Sequence, residues 1–284
     1  MKYDVIIIGS GLGGLTAGAK LAREGKKVLL IEQHDRPGGY ATTFDRGDFI
    51  LEVGLHEMYG PSAGDMTTKI FSDLDVFNKV EFIKVPEFYR FVNERTDVTI
   101  PHDPVLAAER LCSLFPEESE GIKAYFDQIL KPKKKIFENP ELDISIGEFL
   151  DSVIFNDDLK LVILGNLGYF HDDPYSLSLS YYSVSQGSYF TGGASFIRGG
   201  SQKLSDYLAH FIRVDGGEVI LNNLVTGIIT ENHKAAGVRF RKRNDRGNNT
   251  SEASADEIIV NAALPNTADL LPEEYGSILK NELR

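Results

Sequence analysis

The apolar positions of this chain change their spacing along its length, and each change predicts a different element. Tyr3–Ile8 is a short, nearly continuous apolar run rich in β-branched residues, as expected of a strand buried on both faces. Leu15–Glu24 then carries apolar and small residues at helical spacing, and Gly25 stands where such a helix stops. Lys27–Ile31 predicts a second buried strand, which ends on Glu32. Residues 36–60 are glycine-rich and carry no long regular element. Strand-like stretches follow at Val80–Lys84 and Glu87–Asn93, and i, i+3, i+4 spacing predicts helices over Val105–Leu114 and Gly121–Ile129. A further helical block, Ser145–Phe155 and Leu159–Leu167, precedes an aromatic segment, Tyr169–Phe190.

The opening α/β pattern returns near residue 199, with a helix over Ser201–Val214, a turn at Gly216-Gly217 and a strand over Glu218–Leu221. Leu224–Glu231 and Ala236–Lys242 read as a hairpin, Asn244–Ser254 as a polar tip, and Ile258–Val260 as a last apolar strand. An α/β core therefore occurs at the start of the chain and again after about residue 195. The expected architecture is α/β: a Rossmann-like domain of parallel sheet plus β-hairpin, residues 1–80 and 195–284, with an α+β domain, 81–194, inserted into it.

Between the first strand and helix lies Gly9-Ser10-Gly11-Leu12-Gly13-Gly14, a complete G-x-G-x-x-G. Gly9 permits the tight turn, Gly11 lets a pyrophosphate approach the backbone, and Gly14 lets the helix pack close to the sheet. The helix N-terminus offers free N–H groups and partial positive charge to a phosphate. Glu32 falls roughly 20 residues on, where an acid accepts hydrogen bonds from a ribose diol. The motif alone is common; its value here is that strand, turn, helix, strand and acid fall in register from residue 3.

Composition narrows the chemistry. A net charge of −12 argues against nucleic acid as a partner. The single cysteine, Cys112, excludes an internal disulfide and a multi-cysteine metal site, and its place on an amphipathic helix suits a buried structural thiol. No histidine has a second ligand at metal-binding spacing, so no metal is expected. Without a secretory signal or an apolar run of membrane-spanning length, a cytoplasmic protein is expected. The one dense basic run, Lys131–Lys135, would suit a peripheral contact with anionic lipid or a solvated helix end.

Four blocks of this sequence resemble the flavoprotein superfamily of phytoene desaturases, carotenoid isomerases and retinol saturases, itself related to the amine oxidases. They are Tyr3–Gly39, with Glu32-Gln33-His34 and Arg36-Pro37-Gly38-Gly39; Phe49–His56; Gly192–Ser201, with Gly199-Gly200-Ser201; and Gly216–Val238 with Ile258–Pro265. The resemblance implies FAD as cofactor. Gly9, Gly11, Leu12, Gly13 and Gly14 would line its diphosphate, and Glu32 would hold the adenosine ribose with Gln33 and His34 beside it. Gly38 and Gly39 would let a second loop approach the phosphates, Val225 would contact the adenine, and Ala262 would close that pocket. The implied activity is oxidoreduction at C–C or C=C bonds of a hydrophobic polyene or isoprenoid, by desaturation, saturation or isomerisation. His56 is the one weak catalytic candidate, and Glu52 and Glu57 read as solvated carboxylates.

Two departures stand out. Tyr40 occupies the place where many relatives have arginine, and the relatives are much longer, which suggests a shortened chain or one completed by a second. Two other classes stay open at this point. One is an NAD-dependent dehydrogenase, against which the second glycine pair argues. The other is a non-catalytic lipid carrier like the Rab escort and dissociation-inhibitor proteins.

Overall fold

A computed structural model describes residues 2–59, 66–136, 144–169, 171–245 and 249–283. In chain order it begins with β1 (Lys2–Ile8), α1 (Leu12–Arg23), β2 (Val28–Ile31), β3 (Thr43–Arg46), β4 (Phe49–Glu52) and β5 (Met58–Tyr59). Next come α2 (Met66–Asp73), α3 (Val76–Lys79), β6 (Phe82–Val85), β7 (Glu87–Val92) and β8 (Asp97–Pro101). The middle holds α4 (Pro104–Leu114), α5 (Ser119–Ile129), α6 (Lys133–Ile136), α7 (Ile146–Val153), α8 (Asp157–Ile163) and α9 (Leu179–Gly192). The chain then returns through β9 (Ala194–Ile197), α10 (Gln202–Val214), β10 (Glu218–Ile220), β11 (Asn223–Glu231), β12 (Lys234–Lys242) and β13 (Ser251–Val260), followed by α11 (Leu264–Leu270) and α12 (Glu273–Glu282). It divides into two units, Met1–His56 with Lys69–Phe82 and Ile197–Arg284, and Glu57–Thr68 with Ile83–Phe196.

The first unit is built on a six-stranded sheet of order β10-β2-β1-β13-β12-β11. β10, β2, β1 and β13 run parallel, and β12 and β11 continue the sheet antiparallel. The two faces of β1 explain its unbroken apolar run. Ile6 and Ile8 pack with Leu29, Ile31, Val225 and Val238, whereas Ile7 meets the place where α1 crosses α10, beside Gly18 and Ile212. Each fully buried Ile contributes about 1.5–3 kcal/mol.

The last strand differs most from the sequence reading. β13 starts at Ser251, so the polar tip is shorter and the last strand longer than the apolar triplet predicts. Its outer half, Ser251–Asp256, has weak strand propensity, yet it pairs with β12 from Phe240↔Ser251 to Gly237↔Ser254 and with β1 at Lys2↔Ser254. Two-sided pairing overrides local preference there. The glycine-rich stretch forms a small hairpin, β3 with β4, and two helices, α11 and α12, follow the last strand.

The second unit surrounds the β7–β8 hairpin with α4, α5, α7, α8 and α9, and its core includes Phe88, Ile100, Leu111, Ile122, Leu150, Val162 and Phe190. The aromatic segment is mainly the helix α9. Tyr182 and Phe190 enter the core, while Tyr181 stays 68% exposed. The Tyr125 and Tyr182 hydroxyls meet at 3.1 Å, and burial raises both phenols well above their ordinary range. Buried Glu118 accepts from the Phe155 and Asn156 backbone N–H groups, tying α5 to the turn before α8. Cys112 is half-buried against the same core, as a structural thiol would be. In the basic run, Lys131 donates to Gln128 just beyond α5, and Lys131 and Lys135 are exposed.

Candidate functional site

The glycine turn leaves β1 at Ile8, and Gly9 takes φ +96°, a conformation L side chains rarely adopt. A Cβ at Gly9 would lie 2.5 Å from the Asn261 carbonyl oxygen, so the turn and the end of β13 touch. α1 begins at Leu12 with Gly11 as its N-cap, with no side-chain cap and no acid in the first turn. Its first N–H groups are therefore open to an anion, with the helix dipole behind them.

Glu32 follows β2 and is buried, at 6% exposure. One carboxylate oxygen accepts from the Ser10 backbone N–H at 2.8 Å and the Ser10 hydroxyl at 2.7 Å; the other accepts from the His34 N–H at 2.8 Å. The acid thus clamps the glycine turn to the second strand, with one lone-pair site on its His34-bonded oxygen left for a ligand hydroxyl. The second glycine loop reaches the first: the Gly38 N–H donates to the Ser10 carbonyl at 2.8 Å, and a Cβ on Gly39 would approach the Gly11 Cα to 3.2 Å.

A cavity of about 590 Å³ opens over these parts. It brings together Gly9, Gly11, Glu32, Gln33, His34, Gly39, Val225 and Ala262 from the sequence-predicted set, with Ile8, Ile31, Leu224 and Leu270 as apolar wall. A second cavity of about 500 Å³ adjoins it through His34, Gly39 and Tyr40 and continues past Arg36, Thr43 and Val53. Leu12, Gly13, Gly14 and Gly38 line neither; Gly14 and Gly38 are buried parts of the turns themselves. His56 also lines neither and is exposed in the bend before β5. His34 is exposed, with its Nδ1 3.2 Å from an Arg243 guanidinium nitrogen.

The family model for flavin containing amine oxidoreductases matches residues 12–281. The chain belongs to that family. It is similar to prolycopene isomerase of Daucus carota, at 29% identity over 99% of this chain and 48% of the relative. It is similar to all-trans-retinol 13,14-reductase of Danio rerio, at 25% identity over 97% of this chain and 50% of the relative. Among solved structures, an oxidoreductase from Methanosarcina mazei shares the fold with a TM-score of 0.73 and 20% identity, over 99% of this chain and 65% of that one. The chain spans about half the length of the curated relatives it matches.

As a flavin-family site, the geometry fits a dinucleotide. Added Cβ atoms at Gly9, Gly14 and Gly38 would collide with the Asn261, Gly9 and Ala41 carbonyl oxygens, so these glycines let the turn, α1 and the second loop pack closely around the cavity, where Gly9, Gly11 and Gly39 are exposed to it. Sequence reading missed Ser10, Asn223, Asn261, Asn266 and Leu270, all cavity residues. Only Asn261 carried a usable signal, its adjacency to Ala262 at the end of the last apolar strand.

Two acids differ from the solvated carboxylates expected. Glu52 accepts from both the N–H (2.8 Å) and the hydroxyl (2.5 Å) of Ser201, which precedes α10. It thus acts as the missing cap of that helix, from 149 residues away. Glu57, in the second unit, is half-buried, and burial raises its carboxyl above the usual range.

Beside Glu57 lies His102, 4% exposed and stacked on Phe88 at 4.7 Å. No partner among the described residues meets hydrogen-bond geometry at either ring nitrogen, and Glu57 stands 4.0 Å from Nε2. Burial is the main cause that holds its pKa down to about 4; the Lys84 charge adds to the effect and the Tyr189 main chain opposes it. The native protein thus leaves His102 neutral where the unfolded chain, with an ordinary value of 6.5, takes up a proton. Its contribution to stability is complete above pH 6.5 and is lost as pH falls towards 4, by up to about 3 kcal/mol. Glu57 works in the opposite sense, favouring the native state as acid is added. Denaturant unfolding at pH 7 and pH 4.5 is expected to show a smaller acid loss in His102→Phe than in wild type, by about 2 kcal/mol. Equal losses in the two proteins would contradict this.

Proposed function

We propose that this chain supplies the FAD-binding unit and a substrate unit of an oxidoreductase that acts on C–C or C=C bonds of a polyene or isoprenoid substrate. The supporting observation is the joined double glycine turn, Gly9–Gly14 against Gly38-Gly39, closed by buried Glu32 over a cavity long enough to continue past Tyr40. The relatives' printed activities, isomerisation of a carotene and reduction of a retinoid, supply the substrate class. On this reading residues 1–80 and 195–284 hold FAD, and residues 81–194 form most of the substrate unit.

The bound flavin would provide the redox chemistry. This chain's residues would bind and orient it. The α1 N-terminus and the loop N–H groups receive the diphosphate, and Glu32 accepts from the adenosine ribose while holding Ser10 in place. Val225 and Ala262 border the adenine end, Gln33 and His34 flank the ribose, and Gly38 and Gly39 admit the second loop. A nicotinamide site needs no second glycine loop in contact with the first, and a lipid carrier needs no ribose acid, so neither rival accounts for Glu32 and Gly38 together.

The test is the visible spectrum of the purified protein, with chromatography of the cofactor released on denaturation. Flavin bands with near-equimolar FAD are expected, either as purified or after incubation with FAD. The holoprotein, supplied with a polyene in detergent, is then expected to change the flavin spectrum or the polyene's isomer or saturation pattern. A protein that stays colourless after incubation with FAD would overturn the reading, and one that binds NAD instead would favour the dehydrogenase.

A further inference from the structure

Asn261 occupies a position that the cofactor reading leaves unused. It follows the last residue of β13, and its backbone N–H donates to the Ile8 carbonyl at 2.8 Å, which fixes it beside the exit of β1. Its side chain is then the common neighbour of the glycine turn. A Cβ on Gly11 would lie 2.8 Å from one edge of the Asn261 carboxamide, and a Cβ on Gly13 would lie 2.8 Å from the other. A Cβ on Gly14 would lie 3.2 Å from the Asn261 Cβ and 3.2 Å from its carboxamide. Whichever way the amide is turned, one edge lies along Gly11 and the other along Gly13.

The carboxamide makes no hydrogen bond to a described residue, and the residue is only half-buried. Of the other amides that line the cavity, Asn223 donates to the Leu221 carbonyl at 2.7 Å, and Gln33 and Asn266 are exposed. Asn261 lines the cavity together with Gly9, Gly11 and Glu32. Among the described residues, no lysine or arginine lines that cavity, and the carboxylate that does, Glu32, would repel a phosphate. An anion held there depends on neutral N–H donors, from the helix terminus and from side-chain amides.

Resting on the flavin-site reading above, we infer that Asn261 is a diphosphate-binding residue: its carboxamide N–H supplements the glycine turn in a cavity whose described lining holds no cationic side chain. The same side chain props the turn from below, so it positions Gly11 and Gly13 as well as contacting the ligand. This role is separable from shaping the adenine end of the cavity, which Val225 and Leu270 border.

Ligand truncation tests it. The probes are FAD, followed by flavin fluorescence, and ADP and adenosine, followed by calorimetry, on wild type, Asn261→Asp and Asn261→Ser. Asn261→Asp keeps the shape and replaces a donor with a negative charge. It is expected to weaken FAD and ADP at least 100-fold and to leave adenosine within about twofold. Asn261→Ser, which shortens the side chain without adding charge, is expected to weaken FAD and ADP about tenfold. Its ligand-free thermal midpoint separates lost contact from lost folding.

Unchanged FAD and ADP affinity in Asn261→Asp would overturn the inference while leaving the flavin reading intact. An equal loss for adenosine would also overturn it, by showing that Asn261 shapes the whole cavity. Wild type that binds neither FAD nor ADP would overturn the flavin reading and this inference with it.

Discussion

Gly14→Ala is expected to abolish measurable FAD binding and to lower stability by about 3 kcal/mol, at the upper end of the cost of overpacking a close contact. Gly14 sits in the first turn of α1, buried, and an added Cβ would run into the Gly9 carbonyl oxygen. Neither side can yield. Gly9 is itself held at φ +96° against the Asn261 carbonyl, and α1 is pinned where Gly18 packs on Ile7 and Ile212. Opening the contact must move the helix terminus away from the strand, which displaces the N–H groups that would receive phosphate. Gly25→Ala is the control: φ is +80° there, but nothing lies within 4 Å, so only backbone strain of about 1–2 kcal/mol applies. Equilibrium unfolding and FAD titration of both variants decide the matter. A Gly14→Ala protein no less stable than Gly25→Ala, with FAD affinity intact, would contradict the close packing of strand and helix.

Glu32→Ala carries the second large effect. The substitution strands three donors, the Ser10 N–H, the Ser10 hydroxyl and the His34 N–H, around a side chain only 6% exposed. Hydrogen bonds to a charged acceptor are worth about 1.5–3 kcal/mol each, but the freed groups can partly reach water through the cavity, so a loss of about 3 kcal/mol is expected. The glycine turn loses its tie to β2 at the same time, and FAD affinity should fall at least 100-fold. Glu32→Gln keeps one oxygen acceptor and should fall between wild type and Glu32→Ala in both measurements. An Ala variant with wild-type unfolding midpoint and FAD affinity would show that the carboxylate clamps nothing.

Much of the site was legible in the sequence because its parts are local. The turn from β1 into α1 is set by steric rules acting over a few residues, and Glu32 sits one helix and one strand further on at a distance fixed by element lengths. The return of the α/β pattern near residue 199 was legible for the same reason, since α10, β10, β11 and β12 each carry their own periodicity. The second glycine pair was visible as a motif; its contact with Ser10 was not.

The sequence by itself determined the double glycine turn, the acid that follows the second strand and the helical character of the middle of the chain, all of which follow from spacing over a few tens of residues. Tertiary structure alone decided that the polar Ser251–Asp256 stretch lies between β1 and β12, where pairing on both sides outweighs its weak strand propensity. It decided that Glu52 caps α10 and that His102 is buried in a stack on Phe88. It placed Asn261 against Gly11 and Gly13, at the far end of the sequence from both. These are contacts between residues far apart in the chain. No local period encodes them; they exist only once the sheet has ordered its strands and brought β13 beside β1.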